Sequence, residues 1–418
     1  MTDGASMQDR TSTMSLRCRL TLVGFGHADE RPSMGPQTSN VILDKSEPGR
    51  VGPGEPGRHA PARNDQRDIP FLSVSRRSCA ILAAIVALAG ARAAALDTVD
   101  VAGTSAPRGR TRLSGRVVDY TGRQLVLELP GGRRQEIPGD RVLDVKTDYE
   151  PQQVEGDRLL GQGQYGAALE LYQRAIAAEK RPWVKRLILA RMVWSFQGLA
   201  QKEPEQAQRA GEAFLALVQS DPSTPYFDCI PLAWIPAQPP PLLEQTAQGW
   251  LARDAREAPA AVLLGASHLL PTAKRPEALA KLRRLATNPD KRIALLALAQ
   301  GWRAAVNPGD DQLEGWERAI GQMPEPLRAG PYFALGRGHL QRQRWEDAAL
   351  ALMRVPILYP QHRELAARAL LESARALERL ARPKEAARLY REVLNSYAGA
   401  SPAVEARSRL KEMTAGDG

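Results

Sequence analysis

The chain has 418 residues, 43% of them hydrophobic and 5% aromatic, with 34 Gly, 32 Pro, three Cys and a formal net charge of +10. The length suggests roughly two or three domains, and the apolar share is that of a globular protein rather than a wholly disordered one. No stretch reaches the roughly 18 uninterrupted apolar residues of a spanning helix, which excludes a polytopic membrane protein. Cys18, Cys79 and Cys229 show neither CxxC spacing nor an even framework, which argues against a disulfide scaffold and a zinc finger. The basic excess, 57 Lys plus Arg against 47 Asp plus Glu, is diffuse along the chain and does not point to nucleic acid.

From Met1 to about Pro70 the chain is rich in Gly, Pro, Ser, Thr, Asn and Asp, and no apolar period persists. Such a segment cannot bury enough surface to offset its chain entropy. Residues 1–74 are therefore expected to be a disordered leader, or one lying upstream of a true start near Val74. Next come Arg76-Arg77, the apolar run Cys79 to Ala91 and the small residues Ala93-Ala94-Ala95. A basic end, a short apolar stretch and a small-residue cleavage site form a secretory signal peptide. The signal is placed at 75–95, with cleavage after Ala93 or Ala95, so a secreted or periplasmic protein is expected. Cys229, the one cysteine left, is read as a small core hydrophobe.

Residues 96–150 are expected to form a small β module. Leu125, Leu127 and Leu129 alternate with Val126 and Glu128, the period of a half-buried strand. Gly115–Tyr120, Arg133–Ile137 and Arg141–Lys146 complete a meander of four strands with turns at Thr121-Gly122-Arg123 and Pro130-Gly131-Gly132. This is read as an SH3-like barrel or open sheet docked on the helical region beyond it.

Beyond Pro151 the pattern is helical almost to the end. Tyr165, Ala168, Tyr172 and Ala175 follow one another at steps of three, four and three, with Gly156 before them. These steps put small residues where two antiparallel helices cross and large ones in the seam beside them. The register recurs with Trp194, Gly198, Ala210, Phe214 and the stop Asp221-Pro222. It returns with Tyr332, Leu335-Gly336, Trp345, Ala348, Leu352 and Pro360, and again with Leu370, Ala374, Leu377, Pro383, Ala386 and Tyr390. Between them Leu264-Gly265, Ala278 and Leu282 keep the register loosely, and Trp302 and Trp316 are expected in the seam of a further pair. Pro231, Pro236, Pro239, Pro240 and Pro241 forbid a regular helix over 226–241, so an ordered crossing loop is expected there. The organisation is thus hairpins over 151–224, degenerate hairpins with the Pro-rich loop over 225–328, and hairpins with a capping helix from Pro402 over 329–418.

This arrangement of an aromatic, Leu-Gly, an aromatic, Ala, Tyr or Phe, Ala and a closing Pro resembles the tetratricopeptide repeat. Two departures stand out: Glu155 occupies a Leu position in the first repeat, and Ala374 replaces Gly in the last. The segment from Pro360 to Leu410 also resembles the C-terminal repeats of bacterial envelope proteins of this family, such as the periplasmic partner of the Tol-Pal system and the outer-membrane-assembly lipoprotein. The resemblance implies a mainly α fold, a right-handed α-solenoid behind the β module, with a concave groove that binds a peptide or protein.

No catalytic or cofactor motif is visible. His268, His339 and His362 lack partners at metal-ligand spacing, and there is no GxSxG, P-loop or strand-to-helix GxGxxG. Neither a metal nor a cofactor is expected. Asp310-Asp311 is read as a helix cap and acidic first turn. The aromatics Trp194, Phe214, Tyr332, Trp345 and Tyr390 are read as seam residues rather than a stacking row for bases. The family resemblance places Phe333, Arg337, Arg368, Leu371, Arg375 and Arg379 on the groove side of the last two hairpins, and Ser195, Leu199 and Lys202 on that of the second. Arg368, Arg375 and Arg379 fall on one face at spacings of seven and four, and Arg suits bidentate capture of carboxylates. The alternative to a ligand clamp, and the favoured reading of this face, is a solvated charged surface paired in part with Glu372, Glu378 and Glu385.

The reading is a non-enzymatic exported scaffold for a peptide or protein partner in the cell envelope. The alternative is a binder of cell-wall polymer through the β module. An enzyme with an unrecognised site comes third, since no convergent acid, base and nucleophile set is visible.

Overall fold

The computed structural model describes residues 96–103 and 109–415. The expected leader, signal peptide and cleavage site lie outside the described residues.

The sheet module has five strands: β1 (Asp97–Ala102), β2 (Arg110–Tyr120), β3 (Gln124–Glu128), β4 (Arg134–Pro138) and β5 (Val142–Lys146). All pair antiparallel in the order β4-β3-β2-β1-β5. The meander read from the sequence thus gains a strand, β1, which pairs with both β2 and β5. Its period-two signal was present, because Val99 and Val101 are buried while Thr98 and Asp100 are less so. Gly131 and Gly132 make the β3–β4 turn at φ of 95° and 81°, values that a side chain resists. The buried face of the sheet is Val99, Val101, Val117, Leu125, Leu127 and Ile137.

Fourteen α-helices occur after the sheet among the described residues. They are α1 (Pro151–Gly161), α2 (Tyr165–Ala178), α3 (Pro182–Leu199), α4 (Gln206–Ser220), α5 (Pro241–Leu251), α6 (Pro259–Leu269) and α7 (Arg275–Leu285), then α8 (Lys291–Trp302), α9 (Asp310–Gln322), α10 (Ala329–Gln341), α11 (Trp345–Leu358), α12 (Arg363–Arg379), α13 (Pro383–Ser396) and α14 (Pro402–Ala415). Proline opens the first turn of α1, α3, α5, α6, α7 and α13, where its missing N–H would be unpaired in any case. Asp310 and Asp311 both lie inside the first turn of α9, and Gly309 rather than an aspartate holds the cap position.

The small residues stand where the helices cross. A methyl group at Gly156 would meet the Tyr172 ring at 2.8 Å, and one at Gly336 the Leu352 side chain at 2.5 Å. At Gly265 the neighbour is backbone, the Ala247 carbonyl at 2.6 Å. Trp302 and Trp316 stack with centroids 5.1 Å apart and planes at 10°.

The β module shares its core with the first hairpins. Val99, Leu125, Leu127 and Ile137 pack in one cluster with Leu159, Tyr172, Trp183 and Ile188. Arg186 of α3 clamps the junction, donating to Asp119 at 2.5 Å and to the Tyr120 carbonyl at 2.8 Å.

The loop 226–240 carries one 3-10 turn, Phe227–Cys229, and no α-helix. Side chains serve the backbone groups that prolines leave without ladder partners. Gln197 donates to the Cys229 carbonyl at 2.8 Å, the Ala233 N–H donates to Ser267 Oγ at 2.9 Å, and His268 Nε2 lies 3.2 Å from the Pro231 carbonyl. Phe227, Cys229, Ile230 and Leu232 are buried. Trp234 packs against three hydrophobic clusters at once and fills the space beside Gly330.

Candidate functional site

Four helices of the C-terminal third converge on a cavity of about 870 Å3. α10 contributes Arg337, Leu340 and Gln341, α11 contributes Trp345, and α14 contributes Arg409. α12 supplies most of the wall through Arg368, Glu372, Arg375 and Arg379. Their steps of four, three and four keep one face of a helix turned the same way. The opposite stripe of α12, Ala366, Leu370 and Ala374, is buried, as are Leu365 and Leu371 at its flanks, which fixes the arginine stripe toward the cavity.

The arginines are held in a ladder of carboxylates. Arg368 Nε donates to Glu372 Oε1 at 3.0 Å, and its Nη1 lies 3.7 Å from Glu405 Oε2. Arg337 Nε is 3.9 Å from Glu372 Oε2. Arg375 pairs with the other oxygen of Glu405. Arg409 donates to Glu378 Oε2 at 2.5 Å and to Glu412 Oε2 at 2.7 Å, while Tyr390 donates its hydroxyl to Glu378 Oε1 at 3.1 Å. The hydrogen bond to Glu378 raises the Arg409 guanidinium above its ordinary value. Burial, with Glu378 adding to it, pushes the Tyr390 hydroxyl up to about 12. Arg379 differs from the rest: its guanidinium lies over the Trp345 ring, 6.0 Å from the centroid, and it makes no ion pair among the described residues.

Of the positions expected on the groove, Arg337, Arg368, Arg375 and Arg379 line this one cavity. Phe333 and Leu371 do not; both are fully buried in the C-terminal hydrophobic cluster. Each stands three or four residues from a cavity arginine, at the edge of the same face, and there the packing of the neighbouring helices buries the apolar side chain. Lys202 is exposed in the turn after α3, outside the cavity. Ser195 is buried and donates to the Arg191 carbonyl at 3.0 Å, and Leu199 packs beside Leu169, Phe196 and Ala210. Glu385 pairs with Arg382 at 3.9 Å rather than with the arginine stripe.

Sequence reasoning missed Glu405 and Arg409 of α14 and treated Trp345 only as a seam residue. The signal available for the first two was their i, i+4 spacing on a helix that comes after the arginine stripe. Which face of that helix turned inward was not legible.

The cavity offers guanidinium forks, an indole face and a carboxylate, which is equipment for holding a partly acidic ligand. A second cavity, of about 710 Å3, opens between α4, α6 and α8 over Leu215, Val218, Phe227 and Ile293, with Arg253, Arg256 and Glu257 also lining it. It gathers fewer charged groups than the first. No cluster of three or more His, Cys, Asp or Glu able to hold a metal occurs among the described residues. Nor is any helix there long and apolar enough to cross a membrane. No protein-family model matches the chain, and no curated protein matches it significantly.

Proposed function

We propose that the chain is an exported scaffold of the tetratricopeptide-repeat type, whose C-terminal cavity takes an acidic segment of a peptide or protein partner in the cell envelope. The carrying observation is that Arg337, Arg368, Arg375, Arg379 and Arg409, from three helices, face one cavity of about 870 Å3. Four of them are pre-positioned by carboxylates, so little ordering is left to be done on binding. Arg379 keeps an uncommitted charge.

The solenoid reading is supported by contacts between alternate helices: α6 with α8, α8 with α10, α10 with α12 and α12 with α14. A stack in which each hairpin buries its face against the next requires such contacts. The SH3-like reading of the β module is supported by the pairing of β1 with β5 and the 3-10 turn Gly139–Arg141 between β4 and β5. Export rests on the sequence signal at 75–95.

Crosslinking in the native envelope followed by mass spectrometry tests the function. The expected result is a recurrent protein partner whose crosslinks are lost on Arg379→Glu. Crosslinks that persist unchanged in that variant overturn the assignment of this cavity.

A further inference from the structure

The second cavity, of about 710 Å3, shares no lining residue with the first and falls within the size range of sites for small organic ligands. Its floor is apolar: Leu215 and Val218 of α4, Phe227 of the 3-10 turn, Pro259 at the start of α6 and Ile293 of α8. Arg292 holds that floor in place, donating to the Ser223 and Thr224 carbonyls at 2.9 Å each with its guanidinium over the Phe227 ring. Asp290, which also lines the cavity, is taken by Arg292 at 2.8 Å. The rim is the turn between α5 and α6, which carries the exposed Arg253, Arg256 and Glu257. Asp254 fixes this turn: its carboxylate accepts the Arg256 N–H at 2.6 Å and its carbonyl accepts the Ala258 N–H at 2.9 Å. Neither Arg253 nor Arg256 makes an ion pair among the described residues. In the loop before α8, Asn288 Oδ1 accepts the Asp290 N–H at 2.9 Å, which leaves the Asn288 amide nitrogen to donate.

We propose that this cavity binds a free acyl carboxylate, an apolar chain ending in a single acid, with the chain over Leu215, Val218, Phe227 and Ile293 and the carboxylate on Arg253 and Arg256. The site goes beyond the proposed groove function and does not depend on it, since the two cavities have no residue in common. Apolar side chains that line an open cavity stay in contact with water, and an acyl chain laid over them removes that contact. Two guanidiniums without a carboxylate, standing at the edge of an apolar floor, select an anionic end and can grip it bidentately. Glu257, next to Arg256 in the same rim, limits that end to one charge, because a second acid would face its carboxylate. A peptide that ends in apolar residues presents the same terminal acid but also main-chain N–H and carbonyl groups. The floor side chains pair none of these, and burying them there unpaired costs free energy. An acyl chain carries no such groups.

The test titrates the full chain by calorimetry with straight-chain probes, each below its micellar concentration. Decanoate is expected to bind, and octanoate to bind more weakly by up to about fifteenfold, since each methylene that enters an apolar site contributes up to about fourfold. Decanol and the dicarboxylate sebacate should each bind at least tenfold more weakly than decanoate. The double variant Arg253→Ala, Arg256→Ala, at two exposed positions, should weaken decanoate at least tenfold and leave decanol and the melting curve unchanged. Val218→Trp, which fills part of the cavity, should abolish binding of both. If that variant does not fold, as judged by circular dichroism, the chain-length series in the native protein reports the apolar floor instead. Failure of decanoate to bind at millimolar concentration overturns the proposal. So do equal affinities for decanoate and decanol, or decanoate binding that is unchanged in the double arginine variant. Tighter binding of acetyl-Ala-Leu-Leu than of decanoate overturns it as well, in favour of a site for peptide C-termini.

Discussion

Trp194 of α3 and His362 at the entry to α12 lie edge to face, their ring centroids 4.7 Å apart and their planes at 81°. The second hairpin of the helical region therefore touches one of the last. The turn between α1 and α2 reinforces the contact, since a methyl group at Gly163 would stand 3.5 Å from Arg363 Nε. His362 Nε2 is buried there without a hydrogen bond. Burial lowers the imidazole to about 4, and burial likewise lowers His268, beneath the Pro-rich loop, to about 4.

Both depressed histidines predict acid sensitivity. Each is neutral in the fold, while the unfolded chain protonates it near the ordinary value of 6.5. Between about 6.5 and 4 the unfolded state binds more protons, so stability is full above that window and falls as the pH is lowered through it. The slope is up to about 1.4 kcal/mol per pH unit for each histidine. Urea midpoints measured at several pH values should show this decline, and His362→Phe, which keeps a ring against Trp194, should flatten it.

Two helical glycines should respond oppositely to alanine. At Gly265 the added methyl meets the Ala247 carbonyl at 2.6 Å and the Leu251 N–H at 2.6 Å, which are backbone atoms unable to step aside. Gly265→Ala should lower stability by about 1–3 kcal/mol, the range for overpacking. At Gly249, inside α5, nothing lies within 4 Å of the added methyl. Gly249→Ala should raise stability by roughly 0.5–1 kcal/mol through helix propensity. Thermal melts of the pair distinguish a packing glycine from a tolerated one.

Arg292 ties the chain just before the crossing loop to α8. It donates to the carbonyls of Pro222, Ser223 and Thr224 at 2.7, 2.9 and 2.9 Å, pairs with Asp290 at 2.8 Å and lies over the Phe227 ring at 4.3 Å. Lysine carries the charge but not the planar fork. Arg292→Lys is expected to cost about 1–3 kcal/mol, since two partly buried carbonyls, those of Ser223 and Thr224, lose a charged donor. Faster proteolysis between residues 222 and 240 would report the loss locally.

Arg379 and Arg409 separate binding from folding. Arg379→Glu removes a charge that no carboxylate of the described chain uses, so partner capture should fall at least tenfold with the melting temperature unchanged. Arg409→Ala strips Glu378 of its ion pair and should lower stability by about 1 kcal/mol, small because the arginine is 40% exposed. Equal melting curves for native protein and Arg409→Ala would count against the carboxylate ladder.

The sequence by itself determined the local structure. Alternation of Leu125 and Leu127 fixed a strand, the recurring glycine and aromatic steps fixed the helix crossings, and the prolines of 231–240 excluded an α-helix from the crossing loop, whereas Pro241, expected in the loop, opens α5. These features arise from periods of two and 3.6 and from backbone chemistry, all of which act within a few residues. The strand at 97–102 was legible in the same way but is short and isolated, and its partners on both sides come later in the chain. Only the tertiary structure decided which helix stripe became core and which became cavity. Phe333 and Arg337 stand four residues apart on α10, yet one is sealed in a cluster and the other faces the pocket. The same holds for the inward turn of Glu405 and Arg409 and for the meeting of Trp194 with His362. Those outcomes depend on how distant helices stack, and spacing along one helix carries no record of what will pack against it.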